Sequence, residues 1–233
     1  MPLLLAIETS TKVCSVALFK KQECIAIKES DDQEYDHAEK LHVFISEVLQ
    51  QAAVLPKDLS AILVSEGPGS YTGLRIGVAA AKGFAFALNI PLIAINPLEA
   101  MVEMYLNRLP NKTDSAEQIL PMLDARRREV FTQSFSMHGE AESKIEAKIL
   151  EENSAIFSKP VLAIGPGAEK FREEFKAPAQ LVSGIYPSAR FMGTIGWRRF
   201  EKEDFCDLAY FEPFYLKDFI AIKAKPKFNR RNT

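Results

Sequence analysis

The chain has 233 residues, of which 47% are hydrophobic and 26% charged, as is ordinary for a globular protein with a buried core. Its net charge of -2, from 29 basic and 31 acidic residues, argues against a dedicated nucleic-acid binder, which usually has a basic excess. The three irregularly spaced cysteines predict neither a disulfide framework nor a cysteine zinc site. With no signal peptide pattern and no apolar run near the ~20 residues that span a bilayer, we expect a cytoplasmic protein without membrane contact.

The first half of the chain predicts three strands followed by alternating helices and strands. Apolar runs and alternating patterns predict an antiparallel meander of strands at residues 3–8, 14–20 and 23–29. The remaining predicted elements are helices at 38–53, 72–88 and 97–107 and strands at 61–65 and 91–95. This order is that of the ribonuclease-H-like unit, which actin, Hsp70 and sugar kinases use twice, so we expect an α/β fold of two such domains.

The second half predicts a shorter and less regular copy. A polar stretch at residues 109–117 is the predicted boundary between an N-terminal domain, 1–108, and a reduced C-terminal domain, 109–233. The elements predicted after it are strands at 119–124, 129–135 and 161–164 and helices at 168–175 and 188–202.

Two turns rich in glycine and hydroxyl residues, Glu8–Ser15 and Gly67–Gly77, each follow a buried strand and are candidates for binding an anion. Backbone N–H groups, hydroxyls and a helix N-terminus capped by Ser70 or Thr72 would favour a phosphate. An ordinary tight turn and glycine-permitted packing of backbone on backbone are the alternatives. The candidate phosphate-proximal residues are Glu8, Thr9, Ser10, Lys12, Gly67, Gly69, Ser70, Thr72, Gly73 and Asp124.

Asp124 lies where a second actin-like domain would begin its own phosphate-binding hairpin. Arg126, Arg127 and Arg128 stand where such hairpins carry glycines. Arginines could bind phosphate or RNA, but they cannot form a backbone cradle. We therefore expect no intrinsic cofactor.

The predicted helix at 72–88 is apolar on nearly all sides, with Lys82 as its only charge beyond Ile76. Such a helix is buried on all sides, so either the second domain or another protein should cover it. Its many glycines and alanines would allow a facing helix to approach closely. This pattern favours a protein interface.

Metal binding and nucleophilic catalysis find little support. His37 and His42 are five residues apart, about 140° around a helix, whereas a helical zinc pair needs a spacing of four. No G-x-S-x-G motif is present.

From Lys217 onwards the chain is basic, which predicts either a solvated tail or a contact with RNA.

Taken together, these motifs resemble the bacterial TsaB (YeaZ) family, in order over almost the whole chain. The G-P-G-S-Y-T-G-L-R-I-G stretch is the most specific of them. The matching segments are 5–10, 37–39, 67–77, Asp124-Ala125-Arg126 with Glu129-Val130, and 213–216.

The resemblance implies an actin-like fold and a role in making threonylcarbamoyladenosine in tRNAs that read codons starting with A. It implies a heterodimer with the larger paralogue TsaD, which binds metal and transfers the threonylcarbamoyl group, and a complex joined by the ATPase TsaE. ATP or ADP would bind only within that complex, and a homodimer could form in isolation. The expected partner-binding residues are His37, Leu41, Arg75, Ala79, Ala80, Lys82 and Gly83.

Three functional hypotheses follow. The leading one is a non-catalytic partner and activator of TsaD. The second is a small-molecule kinase or ATPase, for which only Glu8 and Asp124 are available as a base or metal-phosphate clamp. The third, a glycoprotease-like metallopeptidase, is disfavoured by the spacing of His37 and His42.

Overall fold

A computed structural model describes residues 1–30, 37–108 and 116–217. Most of the predicted boundary stretch and all but the first residue of the basic C-terminal segment lie outside the described residues. Over the described part of the chain, no helix combines the length and the apolar character needed to cross a membrane.

The first half forms one five-stranded sheet flanked by helices, with the element order predicted from sequence. Its elements are β1 (Leu3–Glu8), β2 (Cys14–Lys20), β3 (Glu23–Ser30), α1 (His37–Gln51), β4 (Ala61–Ser65), α2 (Tyr71–Leu88), β5 (Leu92–Ile95) and α3 (Pro97–Arg108). The sheet order is β3-β2-β1-β4-β5. The first three strands form the antiparallel meander, and β4 and β5 extend the sheet in parallel from β1 because helical crossovers connect them.

The second half repeats this topology with mostly shorter elements. They are β6 (Gln118–Asp124), β7 (Glu129–Thr132), β8 (Phe135–Ser136), β9 (Glu146–Ile149), β10 (Val161–Ile164), α4 (Pro166–Glu169), β11 (Gln180–Val182) and α5 (Gly193–Glu201). The sheet order, β11-β10-β6-β7-β9, matches the first sheet strand for strand, with β6 in the place of β1. The α/β fold of two ribonuclease-H-like units with a reduced second one is therefore confirmed.

Two helices of the second half differ from the sequence-based expectation. The helix predicted at 168–175 ends at Glu169, and turns follow it. There Lys170 is held by Asp124 and Phe171 packs on Phe157, and such tertiary contacts outweigh helix propensity. The helix predicted at 188–202 is divided at Met192 into a 3₁₀ turn and α5. The strand predicted at 129–135 is divided into β7 and β8, and strands β9 and β11 were not predicted.

The two halves exchange the helices that cover their sheets. α1 and α2 pack on one face of the first sheet, while α5 and the 3₁₀ turn before it, from the second half, pack on the other. α3, from the first half, packs against the second sheet. Because the first sheet is covered on both faces, Val16 and Ala17 are equally buried although they point in opposite directions from β2.

Candidate functional site

The carboxyl ends of β1 and β4 meet beneath the start of α2, at the edge of the sheet where open α/β folds bind ligands. Glu8 ends β1, and Thr9 and Ser10 begin the turn to β2. The exposed fractions of these three residues are 0%, 0% and 1%. These three residues are therefore covered by other parts of the chain.

Two hydrogen bonds join the turn to the start of α2 and cover it. The Ser70 amide donates to the Ser10 carbonyl at 2.6 Å, and the Thr9 hydroxyl donates to the Gly73 carbonyl at 2.8 Å. A Cβ atom on Gly69 would collide with Ser10, and one on Gly73 with the Thr9 carbonyl oxygen. These glycines permit the close approach, and no open cradle remains in this conformation.

The other predicted phosphate-proximal residues lie around this contact. Ser70 caps α2 by accepting from the Gly73 amide at 3.3 Å. Gly67 has a φ of 112°, and a Cβ there would meet the Phe214 carbonyl oxygen at 2.6 Å. Lys12 and Thr72 are exposed.

Glu8 is a buried carboxyl group at the centre of the contact. Its Oε1 accepts from the Ser10 amide at 2.6 Å. Burial raises the pKa of Glu8 above its usual value of 4.5, an effect that outweighs the lowering by the nearby hydroxyls of Ser10 and Ser65. A protonated Glu8 can itself donate to a hydroxyl, so the neutral acid suits this site.

The histidines of α1 occupy different surroundings. His37 is 1% exposed, and its Nε2 lies 2.7 Å from the Thr11 carbonyl oxygen. Leu41 is fully buried in the core beneath α1. His42 is exposed, with its ring centroid 6.5 Å from that of Phe84. Of the predicted partner residues, His37 and Leu41 thus face inward, while His42, which was not predicted, lies on the outer surface.

An apolar groove, here called the α1–α2 groove, runs along the outer surface between these two helices. It has two adjoining parts of about 560 and 590 Å³ that share His42 and Phe84. The α2 residues in its floor and wall are Ile76, Ala79, Ala80, Gly83, Phe84 and Ala87. Large exposed side chains lie on the same helices or just beyond them: Val43 (52%), Leu55 (56%) and Phe86 (80%). Ala79, Ala80 and Gly83 therefore lie on an open, apolar surface.

Arg75 and Lys82 hold a part of this chain that sequence reasoning did not connect to α2. We call residues Cys206–Lys217 the C-terminal strap. Lys82 Nζ donates to the Phe211 carbonyl at 2.8 Å, and Arg75 Nε donates to the Tyr215 hydroxyl at 3.3 Å. The Tyr71 and Tyr215 rings are 4.7 Å apart. The strap has no periodic pattern, so only its P-F-Y-L motif could have indicated that it mattered.

Asp124, at the end of β6, lies apart from the β1–β2 turn in sequence and is engaged within the second half. Its Oδ1 accepts from the Arg126 amide at 2.7 Å and forms an ion pair with Lys170 Nζ at 2.6 Å. Within the described residues, no group of three His, Cys, Asp or Glu side chains is arranged to hold a metal ion.

We predict that Gly73→Ala destabilises the chain while Gly83→Ala, on the same helix, stabilises it. The first methyl group would overlap the Thr9 carbonyl oxygen, which should lower the free energy of unfolding by about 1–3 kcal/mol. The second would meet nothing within 4 Å and should raise it by about 0.5–1 kcal/mol. Urea denaturation followed by circular dichroism measures both, and equal stabilities would contradict the tight contact.

Glu8→Gln should stabilise the chain relative to wild type as pH rises. The pKa of Glu8 is higher in the folded chain than its usual 4.5, so its contribution is complete below pH 4.5 and is lost as pH rises through the folded value. Glutamine does not titrate, and the difference in free energy of unfolding should grow at up to about 1.4 kcal/mol per pH unit. Denaturation across a pH series measures it, and a pH-independent difference would show that Glu8 titrates normally. Glu8→Ala should destabilise throughout.

Comparison with known proteins identifies the family of this chain. The family model described as "TsaD: tRNA N6-adenosine threonylcarbamoyltransferase" matches residues 31–193. The "tRNA threonylcarbamoyladenosine biosynthesis protein TsaB" of Escherichia coli K12 is 27% identical over 233 aligned residues, covering 96% of this chain and 98% of that protein. The protein of the same name in Bacillus subtilis 168 is 36% identical over 135 residues, covering 55% and 53%.

A solved structure agrees over nearly the whole chain. YeaZ from Pseudomonas aeruginosa superposes with a TM-score of 0.74 at 25% identity, covering 93% of this chain and all of that one. The resemblance predicted from sequence is thereby confirmed. The chain belongs to the family of the tRNA N6-adenosine threonylcarbamoyltransferase TsaD and, within it, to the TsaB (YeaZ) proteins.

Proposed function

We propose that the chain acts in tRNA threonylcarbamoyladenosine biosynthesis as a non-catalytic partner that activates the threonylcarbamoyltransferase TsaD. The observation that carries this proposal is the open α1–α2 groove, whose floor and walls are mostly apolar. Exposed apolar surface of this kind is typical of a docking site for another protein.

Helix α2 has the composition of a helix that packs closely on another. Ala79 and Gly83 are exposed and one turn apart, and a Cβ at Gly83 would meet nothing within this chain. A stable interface buries roughly 800 Å² on each partner, a size suited to two paired helices on each side. The match to the TsaD family model covers α1 and α2, which supports a TsaD protein that presents the corresponding pair.

A second copy of this chain could use the same surface when TsaD is absent. A two-fold dimer joins one patch to itself, and a groove lined by small apolar residues is suited to such self-pairing. The homodimer and the heterodimer would then compete for the α1–α2 groove.

The burial of the β1–β2 turn supports a non-catalytic role for this chain. Glu8, Thr9 and Ser10 are covered by α2, so a nucleotide phosphate has no access to them in this conformation. ATP or ADP would accordingly bind only in the assembly with TsaD and the ATPase TsaE. A kinase or ATPase activity has weaker support, because Glu8 is buried and Asp124 is paired with Lys170. A metallopeptidase is disfavoured because His37 faces the core and His42 the outer groove.

Ala79→Arg should weaken binding to TsaD by about 100-fold or more. The substitution places a charged side chain in the apolar groove, yet Ala79 is exposed, so the free chain should keep its fold. Titration calorimetry or co-elution of the purified proteins measures the affinity, and tRNA modification by TsaD should fall in parallel at a fixed concentration of the variant.

Glu201→Arg is the matched control, since it places an arginine at an exposed helix position on α5, away from the groove. It should leave both binding and modification unchanged. If Ala79→Arg binds TsaD as wild type does, the docking surface is elsewhere. If TsaD modifies tRNA equally well without this chain, the activator role is wrong.

A further inference from the structure

His42 lies where the two parts of the α1–α2 groove meet. It lines both parts, together with Phe84 of α2, and the centroids of the two rings are 6.5 Å apart. One part extends past the end of α1 and is lined by Leu49 and Leu55, and the other follows α2 and is lined by Ala80. His42 is therefore central in the groove, where a docked protein removes water most completely.

The spacing of the groove residues places His42 within an apolar stripe of α1. The residues of this helix that line the groove include Ala38, His42, Ile45 and Leu49, which follow one another at intervals of four, three and four. Residues at these intervals form the contact seam between packed helices. A helix that packs along the stripe thus covers His42 itself.

His42 differs in charge chemistry from the rest of the groove. Of the described residues that line the groove, it is the only titratable one, and none is Asp, Glu, Lys or Arg. It also lies in the interior of α1, away from the helix C-terminus, whose partial negative charge would favour a cation. The described groove lining therefore offers no anionic group to a protonated His42.

The charged residues on the elements around the groove lie outside its lining. Arg75 and Lys82 are held by the C-terminal strap, and Glu47 forms an ion pair with Lys28 at 3.1 Å. Asp58 accepts from a backbone amide at 3.1 Å. The titratable residues of these elements, apart from His42 and Tyr71, are His37, Glu39, Lys40 and Glu47 on α1, Arg75 and Lys82 on α2, and Lys57 and Asp58 in the 3₁₀ turn after α1.

Docking changes the surroundings of the His42 side chain. Histidine is the side chain whose charge ordinarily changes between pH 5 and 8. In the free chain His42 is exposed, so water solvates both of its forms. A docked partner removes that water, and burying an unpaired charge costs far more than burying a neutral imidazole. Docking therefore favours the neutral form, so affinity is complete above the ordinary range of histidine and falls as pH falls through it.

We propose that His42 makes docking in the α1–α2 groove depend on pH, so that TsaD binds tightly only while His42 is neutral. The identity of the partner as TsaD rests on the proposed function. Dissociation at mildly acidic pH then takes up a proton at His42. The groove is thus a reversible docking site whose strength is set by one side chain at its centre.

The test compares affinity for TsaD at two pH values in wild type and in His42→Gln. Titration calorimetry with the full chain should show wild-type affinity about tenfold lower at pH 5.5 than at pH 7.5, as expected for one histidine that must lose its proton to be buried. Glutamine is polar but does not titrate, so His42→Gln should remove this difference. The same TsaD is used with both chains, so titration elsewhere in TsaD cancels in the comparison.

His138→Gln is the matched control, because His138 is an exposed histidine in a turn of the second half, outside the groove lining. It should keep the full tenfold dependence on pH. Circular dichroism of all three chains at both pH values should show the same folded spectrum.

Nuclear magnetic resonance gives a direct readout of the same effect. The imidazole signals of His42 should titrate at a lower pH in the complex than in the free chain, while those of His138 should titrate alike in both.

Equal pH dependence in wild type and His42→Gln would overturn this inference alone. So would tighter wild-type binding at pH 5.5, which would show that TsaD places an acid beside His42. Absence of binding at both pH values would overturn the proposed docking of TsaD and this inference with it.

Discussion

The contact between the start of α2 and the β1–β2 turn determines much of this structure. The Ser70 amide bonds to the Ser10 carbonyl, and the Thr9 hydroxyl bonds to the Gly73 carbonyl, at a separation that leaves no room for a Cβ atom. One consequence is that Glu8, Thr9 and Ser10 in the β1–β2 turn are covered by the start of α2. The other is that the inner side of α2 lies tightly on the sheet, which leaves its opposite, apolar side as a surface.

The two halves depend on each other more than their repeated topology suggests. α5 completes the core of the first sheet and α3 that of the second, so neither sheet is covered by its own half alone. The C-terminal strap adds a further connection, from Arg75 and Lys82 on α2 to Glu129 on β7. Through it, the helix that borders the groove is joined to the hairpin that carries the arginines.

The two halves share one topology but differ in the size of their helices. Both sheets have the same strand order, but a 3₁₀ turn and the four residues of α4 connect β9, β10 and β11, where the first half has the long helices α1 and α2. The first half keeps two long helices and the apolar groove, and the second keeps a short hairpin with exposed charge. The proposed contact with TsaD accordingly falls on the first half.

The sequence alone determined the element order, the ribonuclease-H-like class and the unusual character of α2, because strand and helix periods and the glycine-rich turn are local signals. It also showed three arginines after Asp124, where such hairpins carry glycines. Only the tertiary structure decided what these features contact: that α2 covers Glu8, that Arg75 and Lys82 hold the C-terminal strap, and that Lys217 lies beside Glu129. Those partners are some sixty to one hundred and forty residues apart, and no local pattern records which distant residue will fill the space beside another.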